Sequence, residues 1–73
     1  MVRPPCVSGQ EAIKVFVTAG WQVARQRGSH VIMVKKNALV TLSVPDHKEL
    51  AMGTLRKLIR DAGMTVEAFQ GLL

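Results

Sequence analysis

Seventy-three residues, 48% of them apolar, make one domain that is too apolar for disorder and too short to bury a deep cavity. Ten Lys and Arg against five Asp and Glu leave a net charge of +5, and nucleic acid is the commonest polyanion to answer such a field. No apolar run approaches the roughly 20 residues of a membrane-spanning helix, no apolar stretch follows Met1-Val2-Arg3-Pro4-Pro5 as in a secretory signal, and a single cysteine, Cys6, cannot form an internal disulfide, so a reducing cytoplasmic setting without a membrane is expected.

Residues 1–7 are expected to form an extended lead-in, because two prolines remove backbone donors and restrict the residues before them. Ser8 then opens a helix. Ser8 and Glu11 have capping-box spacing, and Ile13, Phe16 and Val17 make an apolar stripe. Gly20 ends the helix in the left-handed cap conformation.

Residues 21–27 read as a strand in which Trp21 and Val23 point one way and Gln22 and Ala24 the other. Arg27-Gly28-Ser29 is a hairpin turn, and His30 opens a second strand running to about Lys35. Lys36-Asn37-Ala38 is a further turn, since Asn tolerates positive φ. The third strand has the clearest alternation, with Val40, Leu42 and Val44 against Thr41 and Ser43, and Pro45 ends it.

A loop from Asp46 to Met52 leads to a helix over about 53–62, with Leu55, Leu58, Ile59 and Ala62 inward and Arg56, Lys57 and Arg60 outward. Gly63 caps it. Thr65 starts a last short helix, whose apolar face is Val66, Phe69 and Leu73. The fold expected is α+β, an αβββα arrangement like that of double-stranded-RNA-binding domains. It has a three-stranded antiparallel sheet, helices on one face and a short C-terminal helix. The fold alone does not settle the function.

Among residues able to do chemistry, His30 stands out. It follows a tight turn at the mouth of a strand, and a histidine exchanges protons near neutral pH. The plainer reading is an exposed strand histidine with no task. His47, in Pro45-Asp46-His47, is better read as a loop residue holding local backbone, and Asp46 as an Asx turn. Cys6, His30, Asp46 and His47 lack the spacing of a metal motif, so no metal or other cofactor is expected.

Basic residues fall into two groups able to contact phosphates: Arg25, Arg27, Lys35 and Lys36 on the first hairpin, and Arg56, Lys57 and Arg60 on the second long helix. Phe16, Trp21 and Phe69 lie on core stripes, which leaves little for base stacking and favours recognition of the RNA backbone.

Taken in order, Gly20-Trp21, Arg25-Gln26-Arg27-Gly28-Ser29-His30, Val44-Pro45-Asp46-His47, Gly53-Thr54-Leu55-Arg56-Lys57-Leu58-Ile59 and Ala62-Gly63-Met64-Thr65 resemble the HicA family of toxins, over residues 8–73. Any one piece would be unspecific; the set, with its spacing, is fairly specific. The resemblance implies a ribosome-independent messenger-RNA endonuclease in a type II toxin–antitoxin system, held silent in a hetero-oligomer with a HicB-type antitoxin. It makes His30 the catalytic residue, with Gly28 and Ser29 in its turn, and it assigns His47 no catalytic role. Trp21 stands where phenylalanine is more usual, and Val31 to Val34 lack the polar and aromatic residues often found on that strand. The other readings of the same residues are a non-catalytic RNA-binding module and an interaction protein whose basic surface docks an acidic partner.

Overall fold

The computed structural model describes residues 6–73. The expected lead-in therefore lies mostly outside the described residues. Its end does not hang free: Val7 is buried, and its carbonyl accepts from the Leu50 N–H at 2.8 Å.

Helix α1 spans Gly9–Thr18, and Ser8 caps it through a complete capping box. The Glu11 N–H donates to Ser8 Oγ at 3.1 Å, and the Ser8 N–H donates to Glu11 Oε1 at 2.9 Å. Two of the helix's otherwise unpaired donors are satisfied in this way. At the other end, Trp21 N–H reaches the Phe16 carbonyl and Gly20 N–H the Val17 carbonyl, at 2.9 and 3.0 Å. This is a Schellman motif, with Gly20 at φ 103°. The buried stripe is Gly9, Ala12, Ile13, Val15 and Phe16, while Val17 is half exposed. The helix is rotated from the expected stripe because the small residues Gly9 and Ala12 let its backbone approach the rest of the protein closely.

Strands β1 (Gln22–Arg27), β2 (His30–Val34) and β3 (Leu42–Pro45) form an antiparallel sheet in the order β1-β2-β3. β2 and β3 alternate cleanly: Val31, Met33, Leu42 and Val44 are buried, and their neighbours are not. β1 does not alternate. All six of its residues are exposed, Val23 included. A bulge between Val23 and Arg25 breaks the pleat, and the strand lies at an edge of the sheet, where one side has no partner among the described residues. Val40 lies outside β3 and is exposed.

Helix α2 spans Met52–Asp61 and buries Leu55, Leu58 and Ile59, with Ala62 packed beside them. It ends in a second Schellman motif: Gly63 N–H to the Arg60 carbonyl and Met64 N–H to the Ile59 carbonyl, both at 3.0 Å. Helix α3, Val66–Gly71, is capped by Thr65, whose hydroxyl accepts from the Ala68 N–H at 3.0 Å. Its Phe69 is fully buried and meets Phe16 in a tilted pair, ring centres 5.6 Å apart and planes 56° apart. Leu73, expected on this face, is exposed.

α1 and α2 both pack on β3, and α1 also touches β1. The core is one cluster of inward residues from the helices and from a single face of the sheet. The result is a small α+β fold with an open three-stranded sheet. Among the described residues its other face carries no helix, and that is the face on which candidate chemistry is displayed. Among the described residues, no helix is long and apolar enough to cross a membrane.

Candidate nucleic-acid interface

Gly28 and Ser29 form the two-residue connection between β1 and β2. Gly28 has φ 57° and Ser29 does not share the positive sign, which is the signature of a type II′ turn. The Gln26 side-chain amide donates to the Gly28 carbonyl at 3.1 Å and braces the turn. The next residue, His30, is therefore delivered at a fixed register.

That register brings the site together. Arg27, His30 and Pro45 stand side by side across the sheet, and Arg25, Ile32 and Ser43 form a second such row. Residues directly opposite share a face, with Cβ atoms about 4.5–5.5 Å apart. Val31 and Val44 point into the core, so His30, Arg25 and Arg27 lie on the face away from the helices. All three are exposed. The His30 ring makes no hydrogen bond to the described residues, which leaves its ring nitrogens open to a ligand. Neither arginine has an acidic partner; Lys57–Asp61, at 2.8 Å, is the single ion pair among the described residues.

The other cations fall elsewhere. Lys35 follows β2 at the end opposite His30, about 17 Å away at 3.3 Å per residue. Lys36 lies in the next turn. Arg56, Lys57 and Arg60 are exposed on α2, in the helical layer on the far side of the sheet. The hairpin cations that read as one group in the sequence are thus divided, and only the arginines stand beside His30.

A second strap holds the His30 turn. Asp46 N–H donates to the Ser29 carbonyl at 2.6 Å, and the Asp46 carboxylate accepts from the Gln10 amide at 3.0 Å rather than closing an Asx turn. Gly9 N–H donates to the His47 carbonyl at 2.8 Å. His47 therefore does not bind its local backbone: its carbonyl ties the loop to the start of α1, and its ring is exposed and makes no hydrogen bond to the described residues. Sequence reasoning missed Gly9, Gln10 and Gln26. Only Gly9 left a signal, a glycine immediately after a helix cap.

The Cys6 thiol donates to Glu49 Oε1 at 2.9 Å. That hydrogen bond, then the Glu49 charge, then desolvation raise its pKa above the ordinary value, which disfavours a nucleophilic thiolate. Among the described residues, no group of three His, Cys, Asp or Glu side chains is placed to hold a metal ion.

The family model for the HicA toxin of bacterial toxin–antitoxin systems matches residues 9–64, from the first residue of α1 to just past α2. The chain belongs to the HicA toxin family. It is accordingly the toxin of a toxin–antitoxin pair, and family membership implies an antitoxin partner. The matched span contains His30, both arginines beside it and the Asp46 strap, and leaves out α3 with Phe69. No match was found among curated proteins.

Proposed function

We propose that this HicA toxin is a metal-independent, ribosome-independent endoribonuclease, acting on messenger RNA in the cytoplasm, with His30 as its catalytic residue. One observation carries the reading: an exposed, unbonded histidine ring beside two unneutralised arginines, on a sheet face that no helix covers. A single HicA-like domain carries the whole activity.

The chemistry is a transesterification. His30 removes the proton from a ribose 2′-hydroxyl, the oxygen attacks the neighbouring phosphorus to close a 2′,3′-cyclic phosphate, and the P–O5′ bond breaks as O5′ takes a proton from water. Arg27, one strand away, and Arg25, one row along, stabilise the added negative charge on the phosphorane. Gly28 and Ser29 supply the turn that fixes His30 and border the bound backbone. Lys35 and Lys36 extend the contact along β2.

A positioned acid–base group is worth about 10²–10⁴-fold in rate, so His30→Ala should lower cleavage by that factor. His30 is exposed, so the same change should cost stability no more than about 0.5 kcal/mol. Cleavage rate, gel-shift affinity and melting temperature check this together. Normal cleavage by His30→Ala overturns the assignment. Binding without cleavage by the unaltered toxin favours a non-catalytic RNA-binding module, a reading supported by the lack of any second acid–base group bonded to His30. Cleavage should persist in EDTA; a loss restored by magnesium or zinc contradicts the metal-free step.

The partner on this reading is a HicB-type antitoxin that covers His30 in a hetero-oligomer and sets acidic residues against Arg25 and Arg27. Such complementarity speeds association and sharpens selectivity. A complex with the His30 ring open to solvent counts against it.

A further inference from the structure

The two outer strands of the sheet guard their edges differently. β3 ends in Pro45, which has no N–H to offer a further strand, and both long helices pack against it. β1 has no proline and no acidic residue, all six of its residues are exposed, and its outer side has no partner among the described residues. Between the bulge and the turn, Arg25, Gln26 and Arg27 run in regular register against Ile32, Val31 and His30.

That register fixes which backbone groups face outward. The residues flanking a two-residue hairpin turn exchange both backbone bonds, and the next pair along exchanges none. Arg27 and His30 are the flanking pair, so the N–H and the carbonyl of Gln26 point away from β2. No loop or cap backbone bond reaches them among the described residues. Arg25 and Arg27 stand on either side of this open donor and acceptor. Val23, opposite the buried Met33, leaves apolar surface half exposed at the same edge.

The charge pattern selects the occupant. A second copy pairing antiparallel about Gln26 would set Arg25 of each chain opposite Arg27 of the other, and like charges directly opposite are unfavourable. An acidic strand reverses the sign of both pairs. We propose that the outer edge of β1 receives an extended acidic segment of the antitoxin. It adds an antiparallel fourth strand, with carboxylates opposite Arg25 and Arg27 and an apolar residue between them that bonds to the Gln26 backbone. The inference rests on the reading of the partner as an antitoxin set against the two arginines, and it names how that partner is held. Main-chain bonds give an added strand its affinity, and alternate side chains give its specificity. The arginines are withdrawn from RNA phosphates even where the segment does not touch His30.

A capped heptapeptide of alternating valine and glutamate is titrated into the full-length toxin and followed by amide NMR and hydrogen exchange. The expected result is a saturable shift at β1, with exchange of the Gln26 N–H slowed about tenfold or more. The same peptide with lysine in place of glutamate should do neither. Gln26→Pro, which removes the donor, should bind the peptide about tenfold more weakly than Gln26→Ala, which keeps it. The exchange measurement needs no variant, so it decides the matter even if Gln26→Pro fails to fold. No saturable shift, an equal response to the lysine peptide, or unchanged Gln26 exchange overturns the added strand. Slowing by protein concentration alone also overturns it, because a second copy would then occupy the edge. Equal slowing by a 2′-deoxyoligonucleotide does the same, because the edge would then belong to the nucleic-acid site. If the peptide docks and the unaltered toxin cleaves no RNA, the nuclease reading fails and the docking edge stands. An antitoxin that covers His30 but leaves the Gln26 N–H exchanging freely removes the added strand and leaves the occlusion.

Discussion

The two ends of β2 are built differently. At the His30 end the backbone is tied on every side: Asp46 to Ser29 at 2.6 Å, Gly9 to His47 at 2.8 Å, and Gln26 across the turn at 3.1 Å. At the Lys35 end the turn is closed by Ala38 N–H to the Lys35 carbonyl at 3.1 Å, Asn37 sits at φ 69°, and Leu39 is wholly exposed. One end fixes a side chain at a set place on the sheet; the other is an exposed turn held by a single backbone bond of its own. Acid–base catalysis needs the first, because a proton moves only within hydrogen-bond reach of a correctly placed group. Recognition of a varied polymer tolerates the second.

The contrast is broken most severely at Gly9. A Cβ there would collide with the Pro45 carbonyl oxygen and come within 3.0 Å of Asp46 Cα, and neither belongs to a side chain that can swing aside. Gly9→Ala should therefore cost about 1–3 kcal/mol as an overpacked contact. For a domain of this size each kcal/mol lowers the melting temperature by about 4–8 °C. RNA cleavage per folded molecule should fall as well, since the displaced loop holds the Ser29 carbonyl. Asn37→Gly at the open end should change stability by no more than about 0.5 kcal/mol. Equal melting temperatures for the two variants would show that the His30 end is no more tightly held than the other.

A smaller effect tests which cations accompany the anchored end. On single-stranded nucleic acid, log affinity falls with log salt by about 0.7 per phosphate contacted. Arg25→Ala with Arg27→Ala should reduce the slope by about 1.4 if each arginine meets one phosphate. Arg56→Ala with Arg60→Ala should leave it unchanged, because α2 lies across the sheet from His30. A gel-shift series over several salt concentrations reads both slopes. Equal flattening by the two pairs would mean that RNA wraps around the helical layer too.

Features decided by near neighbours were legible in the sequence. The Ser8–Glu11 capping box, the helix-ending Gly20 and Gly63, the Gly28-Ser29 turn, Asn37 and the inward trio Leu55, Leu58 and Ile59 all depend on residues within a turn or two. Features decided by distant packing were not. Val17 loses its place in the core to Val15 because the whole of α1 is rotated toward the Pro45 loop. β1 fails to alternate because its bulge is a property of the pair, not of the strand. The candidate site shows the same division. His30 at a turn could be read directly, but its grouping with Arg25 and Arg27 rather than with Lys35 follows from strand register, which no short window reveals.

The smallest expected effect separates the two histidines. A loop histidine whose ring bonds local backbone would lose stability on truncation. Here it is the carbonyl of His47 that bonds, to Gly9 of α1, and the exposed ring makes no hydrogen bond to the described residues. Alanine keeps the carbonyl, so His47→Ala should leave the melting temperature nearly unchanged, a cost within about 0.5 kcal/mol. Cleavage per folded molecule should also persist, since His30 and its arginines are untouched. The informative comparison is His47→Ala against His30→Ala at matched RNA concentration. If both are inactive while both melt normally, the two rings share the proton transfers, one taking the 2′-hydroxyl proton and the other supplying O5′. The strap from Asp46 to Ser29, which joins the two histidine-bearing segments, would then hold an acid–base pair together rather than a single catalytic side chain.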